Sequence, residues 1–266
     1  MARLTTLLLV VLVACARAPY TNRSQLILID SQQEMALGTQ AFRQVVSRSR
    51  IDRDAKVNAA VDDVGRRLAA VAKRPDFRWN FVVFDDDTQV NAFCLPGGKV
   101  GVYTGILPVA QDQNGLAVVM GHEIAHAIAR HGAERVSQGQ LAQLAGQALA
   151  VGLGGRPEAG MVLAAYGLGA QVGVLLPYGR TQESEADHIG LLLMAQAGYD
   201  PRVAIEFWER MERVERSRAP EFLSTHPSGG TRMQQLRAWM PEATRLYEAT
   251  SPAPNARIAS NVAAAR

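Results

Sequence analysis

The chain reads as an α+β protein, predominantly helical, with a small antiparallel sheet beside one central helix. Three observations predict this. Apolar residues recur at helical spacing through most of the chain, as in Val57, Val61, Val64, Leu68 and Val71. Strand-like segments cluster between Trp79 and Tyr103, separated by turn residues. One helical stretch, running to about His131, carries His122-Glu123-Ile124-Ala125-His126 and is otherwise apolar, with Leu116, Val119 and Met120 away from the histidines. That is the pattern of a buried central helix.

Composition narrows the functional classes. With 48% hydrophobic and 20% charged residues, the 266-residue chain can bury one large core. The net charge of +3 is modest, and the basic residues lack the aromatic or motif context of a nucleic-acid surface. No feature specifies an oligomeric state.

Taken in order, Met1-Ala2-Arg3 precedes the apolar run Leu4 to Ala14, broken only by Thr5 and Thr6. This has the length of a secretory hydrophobic region and is short for a bilayer span. Leu12-Val13-Ala14-Cys15 resembles a bacterial lipobox, which makes residues 1–14 a lipoprotein-type signal peptide and Cys15 the lipidated residue. Acyl chains on Cys15 would anchor the chain to a membrane. With Cys15 so used, Cys94 has no partner for a disulfide. Ala16 at the second mature position resembles the sorting signal for the outer membrane of a Gram-negative cell, on its periplasmic face.

Residues 15–31 are expected to be a lipidated tether, and residues 32–250 the folded domain. Helices are expected over 32–49 and 55–73, the second stopped by Pro75. Trp79 to Phe84 forms a strand, Asp85-Asp86-Asp87 a turn, Val90 to Leu95 a second strand, Pro96 to Lys99 a tight turn and Val100 to Tyr103 a third strand. The Asp run lacks the alternating ligands and following glycine of a calcium loop. Asp112 or Asn114 caps the His122 helix, which ends at Gly132. Residues 141–176, rich in Ala, Gly and Leu, are expected to form a helical hairpin, buried or lying on a membrane surface. Further helices are expected over 181–197, 202–216, 230–239 and 242–249, followed by a disordered tail over 251–266.

His122 and His126, four apart, share one helical face and can reach one metal ion. Glu123 beside them can touch a metal-bound water, the H-E-x-x-H arrangement in which the Glu is a general base. A catalytic zinc needs a third protein ligand. His131 stands one residue short of the third histidine in the metzincin pattern, with Ala129 where that pattern has glycine. His188 stands alone. In Glu183-Ser184-Glu185-Ala186-Asp187, Glu183 and Asp187 share a face, so Glu183 is the metal ligand and Asp187 accepts a hydrogen bond from His122. Glu185 lies about 160° from Asp187 around the helix and is expected to face solvent.

These residues, with Asn91-Ala92-Phe93-Cys94-Leu95-Pro96-Gly97-Gly98 and Leu176-Pro177-Tyr178-Gly179-Arg180, resemble the HtpX/CaaX-prenyl-protease family of gluzincins over residues 24 to about 240. Ser24-Gln25-Leu26 and the lipobox resemble its periplasmic lipoprotein, Oma-like branch. The resemblance implies a gluzincin core, one Zn²⁺ per chain, and hydrolysis of polypeptide substrates, misfolded envelope proteins among them. It makes the strand at Asn91, Ala92 and Phe93 an edge to which an extended substrate backbone can add. It also brings His226-Pro227, with Arg232 six residues on, near the zinc. There His226 would either stabilise the oxyanion or fill the open zinc position. A zinc-bearing assembly factor with weak or conditional proteolysis is the alternative activity.

Overall fold

The computed structural model describes residues 15–154, 156–170, 176–217, 226 and 231–258. The expected signal peptide lies outside the described residues. Helix α1 (Ser31–Arg48) starts at Asp30, whose carboxylate accepts from the backbone N–H of Gln32 and Gln33. Helix α2 (Ala55–Val71) is capped in the same way by Asp54 and buries Val57, Val61, Val64 and Leu68, the face read from the sequence.

Strands β3 (Asn80–Phe84), β4 (Ala92–Leu95) and β5 (Lys99–Tyr103) form the sheet in the order β3-β5-β4. The β4–β5 hairpin is antiparallel as expected, and its turn uses Gly97 and Gly98 at φ 85° and 78°, a region only glycine enters without strain. β3, however, pairs with β5 in parallel, so this sheet is mixed. The cause is the link from Asp85 to Asn91. Asp86 is tied to the end of β5, its N–H donating to Thr104 Oγ1 and its carbonyl accepting from Gly105 N, so the chain passes over the sheet end and β4 lands one place beyond β5.

A short turn of helix, α3 (Leu107–Ala110), leads into α4 (Gln113–Ile128), and every residue of α4 is buried. Its first N–H groups are all met: Gln113 N by Ala256 O, Asn114 N by Asn255 Oδ1, Gly115 N by the Asp112 carboxylate and Leu116 N by Asp112 O. The helix stops at Ile128, earlier than the glycine that the sequence suggested. Arg130 takes the left-handed turn instead (φ 57°), held by bonds from its guanidinium to Glu34 (2.7 Å) and to Ile29 O (3.1 Å).

Helices α5 (His131–Leu153) and α6 (Ala159–Ala170) form the expected hairpin. It is not buried: Leu144, Val151 and Met161 are 59%, 82% and 72% exposed. Among the described residues no helix is long and apolar enough to cross a membrane. Helix α7 (Leu176–Gln196) crosses α4 at a pair of glycines, where a Cβ built on Gly190 would sit 2.8 Å from His122 N. Helix α8 (Val203–Ser217) buries Phe207, Trp208 and Met211. Helix α9 (Arg232–Glu248) runs unbroken through Pro241, where the sequence suggested two helices. Leu236 and Ala243, buried on either side of the proline, hold it together.

Both chain ends depart from expectation. Residues 15–30 are not a free tether. Strand β1 (Cys15–Arg17) pairs antiparallel with β2 (Ser24–Leu26), Gln25 Nε2 donates to Ala129 O at the end of α4 (2.7 Å), and Leu28 N donates to Ser137 Oγ on α5. Of the expected disordered tail, residues 251–258 pack on the domain, with Ile258 N–H donating to Gln111 O, and residues 259–266 lie outside the described residues. Hydrogen bonds to distant segments tie both to the domain, through side chains at the front and through the backbone at the tail, and hydrophobic periodicity does not encode such bonds.

Candidate metal centre

α4 presents His122 and His126 one turn apart, and α7 brings Glu183 against them. His122 Nε2 and His126 Nε2 are 3.1 Å apart, and each lies 3.3 Å from a different oxygen of Glu183. His226 completes the set, its Nδ1 being 3.4 Å from His122 Nε2 and 3.2 Å from both Glu183 oxygens. Zinc bonds of about 2.0–2.1 Å in a tetrahedron put the ligand atoms roughly 3.3–3.4 Å apart, so these donors and spacings fit that ion. All four residues are buried.

Glu123 lies beside this set, buried, with its Oε1 lacking a hydrogen-bond partner and 3.5 Å from His226 Nε2. Burial raises its pKa, against the pull of His226 and His122. A buried carboxylate left this way is matched to accepting a proton.

Asp187, one turn after Glu183, accepts from His122 Nδ1 at 2.9 Å, as the sequence implied. Its other oxygen accepts from Arg232 Nε at 2.7 Å, and the Arg232 guanidinium lies 3.9 Å over the Trp208 ring. Burial alone would lower the His122 pKa, but the Asp187 and Glu183 carboxylates outweigh it and raise it to about 10. Burial dominates at His126 and holds its pKa well below the usual value. Glu183, despite burial, is pulled far below the carboxylate range by His126 and His122.

Other sequence-derived expectations fare differently. β4 stands at one edge of the three-stranded sheet, with Ala92 and Phe93 on it and Asn91 just before it, and the Phe93 ring packs with Phe42, Phe84 and Tyr103. His188 stacks on Trp239 and stays outside the ligand set. Cys94 is buried, which raises its thiol pKa and makes it inert at neutral pH.

Glu185 is the clear correction: it is buried, not solvent-facing. The helix wheel places it opposite Asp187 as expected, but residues 15–30 and α5 cover that side. It accepts from Arg23 Nε (2.8 Å) and from Thr21, and lies 2.9 Å from His131 Nε2. His131 Nδ1 in turn is 2.8 Å from His126 Nδ1. Arg23 also makes a two-pronged pair with Glu134 at 2.8 Å on each oxygen. No spacing or motif signals this cluster, whose members come from three distant segments.

Residues 55–240 match the model of Peptidase family M48. The mitochondrial metalloendopeptidase OMA1 of Schizosaccharomyces pombe is 36% identical over 230 residues, 85% of this chain and 66% of that protein. The protein of that name in Saccharomyces cerevisiae is 30% identical over 251 residues, 87% of this chain and 71% of the relative. A putative beta-barrel assembly-enhancing protease of Vibrio cholerae is 32% identical over 231 residues, 84% of this chain but 46% of that protein. The sequence resemblance, the family match and the convergence of His122, His126 and Glu183 agree, and the chain belongs to peptidase family M48.

Proposed function

We propose that the chain is a zinc-dependent endopeptidase of the cell envelope, lipid-anchored at Cys15 on the periplasmic face of the outer membrane, that cleaves misfolded envelope polypeptides. The observation that carries the reading is the buried carboxylate of Glu123, whose Oε1 accepts no hydrogen bond, beside three converging ligand side chains. The names of the relatives, metalloendopeptidase and beta-barrel assembly-enhancing protease, support peptide hydrolysis and an envelope setting.

His122, His126 and Glu183 would hold one Zn²⁺. Bound there, the ion supplies Lewis acidity and lowers the pKa of water at the site from 15.7 toward about 7. Glu123 takes a proton from the attacking water and returns it to the leaving amine, a role its raised pKa suits. Asp187 fixes the His122 tautomer, and Arg232 fixes Asp187. The edge strand at Asn91, Ala92 and Phe93 takes the substrate backbone as a further strand, which positions a peptide without demanding a side-chain sequence. Of the two roles open to His226, its Nδ1 position among the ligand atoms favours the latent one: it fills the fourth place and must withdraw for cleavage. The α5–α6 hairpin would rest on the anchoring membrane, a reading supported by its exposed Leu144, Val151 and Met161 and by the bond from Leu28 to Ser137 at its base.

The test is Glu123→Gln in the full chain. It is expected to retain one zinc per chain by elemental analysis and to lose cleavage of an unfolded polypeptide. Wild-type-like cleavage by this variant would sink the assignment. The closed four-donor set is the one observation favouring a second reading, a zinc-bearing assembly factor. Full rescue of a gene deletion by Glu123→Gln would establish that reading instead.

A further inference from the structure

The two histidines of α4 are supported differently. His122 Nδ1 meets Asp187 directly, whereas His126 Nδ1 meets a second imidazole, His131. Beyond His131 stand Glu185 and then Arg23, which belongs to the segment between β1 and β2. Each path therefore ends on an α7 carboxylate held by an arginine, the first directly and the second through His131.

Hydrogen-bond logic gives the second path a direction. With Nε2 of His126 turned to the ligand cluster, its Nδ1 must carry the proton and donate to His131 Nδ1. His131 then carries its own proton on Nε2 and donates to Glu185 (2.9 Å). Glu185 is acceptor-only, and Arg23 and Thr21 supply its remaining donors. Every bond has one donor and one acceptor, and with both rings neutral and His126 Nε2 kept for the metal no other assignment satisfies all of them. His131 itself is completely buried, which is costly for a polar ring unless both nitrogens are bonded.

We infer that His131, Glu185 and Arg23 are positioning residues for the ligand His126, so that the segment following Cys15 is part of the metal site's support rather than a passive linker. This rests on His126 being a metal ligand. Arg23 is held in place by Glu134, which also accepts from Gln182 on α7 (2.8 Å), so the segment is locked to α5 and α7 together. A displacement of residues 15–30 would pass through Glu185 and His131 to the orientation of the His126 ring.

The experiment measures Zn²⁺ affinity of the full chain by competition with a chromophoric chelator, with the thermal midpoint of the metal-free form taken alongside. Loss of a ligand's hydrogen-bond partner weakens metal binding by about 10–100-fold. His131→Ala is expected to show that loss. His131→Gln, which keeps one acceptor and one donor, is expected to stay within about threefold of wild type. Arg23→Ala, a change at a partly exposed side chain, is expected to weaken binding at least about threefold even if His131→Ala fails to fold. Wild-type affinity in Arg23→Ala would overturn the proposal. So would His131→Gln as weak as His131→Ala, since the ring would then matter only as packing. Failure of the unaltered chain to bind one zinc would instead overturn the metal reading itself.

Discussion

The spacing between the two ligand-bearing helices is set by an absence of side chains, and Gly190→Ala tests it. A Cβ at Gly190 would lie 2.8 Å from His122 N and 3.0 Å from both Gly121 C and His122 Cα, all backbone atoms that cannot swing away. Ordinary contact begins near 3.4 Å, so α7 must retreat from α4 by roughly 0.6 Å. Glu183 lies about two turns further along α7, on the same rigid helix. Its 3.3 Å separations from His122 and His126 would widen toward about 3.9 Å, beyond the roughly 3.4 Å that tetrahedral arms of about 2.1 Å set. Overpacking of this kind costs about 1–3 kcal/mol. If binding zinc demands the original spacing, the same energy appears as about 5- to 150-fold weaker affinity, with every chemical group intact. Chelator competition reads the affinity, and a thermal scan without metal reads the strain. Wild-type zinc affinity in a folded Gly190→Ala protein would refute the claim that the glycine crossing sets the ligand spacing.

Asp187→Asn removes the charge shared by His122 and Arg232, and zinc affinity is expected to fall about 10–100-fold in the same chelator assay. Asn255→Ala leaves the N–H of Asn114 without its acceptor at the start of α4, and should lower stability by about 1–2 kcal/mol in a denaturant titration. Burial raises the Glu134 pKa, but the bonds from Arg23 and Gln182 outweigh it and bring it below the usual carboxylate value. Its stabilising contribution is therefore complete above the unfolded pKa and lost as pH falls through the lower folded one. Glu134→Gln should accordingly be less stable than the parent near neutral pH, with the gap closing below about pH 4 in thermal scans. Adding a chelator to the zinc-loaded chain should lower its thermal midpoint, and an unchanged midpoint would contradict a bound structural contribution.

What could be read from the sequence was local and periodic. His122, His126, Glu183 and Asp187 were legible because a helix fixes how residues four apart sit relative to one another, and the chemistry of zinc supplies the rest. His226 and Arg232 were reached through family resemblance alone, since no spacing ties them to α4. Glu185 shows the limit of the helix wheel, which gives a direction but not what covers it. Its cover comes from Arg23 and Thr21, more than 160 residues away, at separations of 162 and 164. The parallel pairing of β3 was hidden for a similar reason: its strand pattern suits either partner direction, and a tie from Asp86 to Thr104 decides. Pro241 promised a break, but burial of Leu236 and Ala243 outweighs the single hydrogen bond lost.

The two remote closures of α4 bear on when the site can exist during synthesis. Asn114 and Asn255 are 141 residues apart in the chain, and Ala129 waits on nothing later for its bond from Gln25. At elongation rates of about 5–20 residues per second, the start of α4 is outside the ribosome for roughly 7–28 s before its acceptors arrive. Until residues 176–217 follow, this wholly buried helix also lacks α7 and α8 to cover it, and only Asp112 caps its start. The helix that carries His122, Glu123 and His126 is thus fully capped only once Asn255 and Ala256 have emerged, and until α7 follows, a nascent chain presents an aggregation-prone surface and an incomplete metal site together.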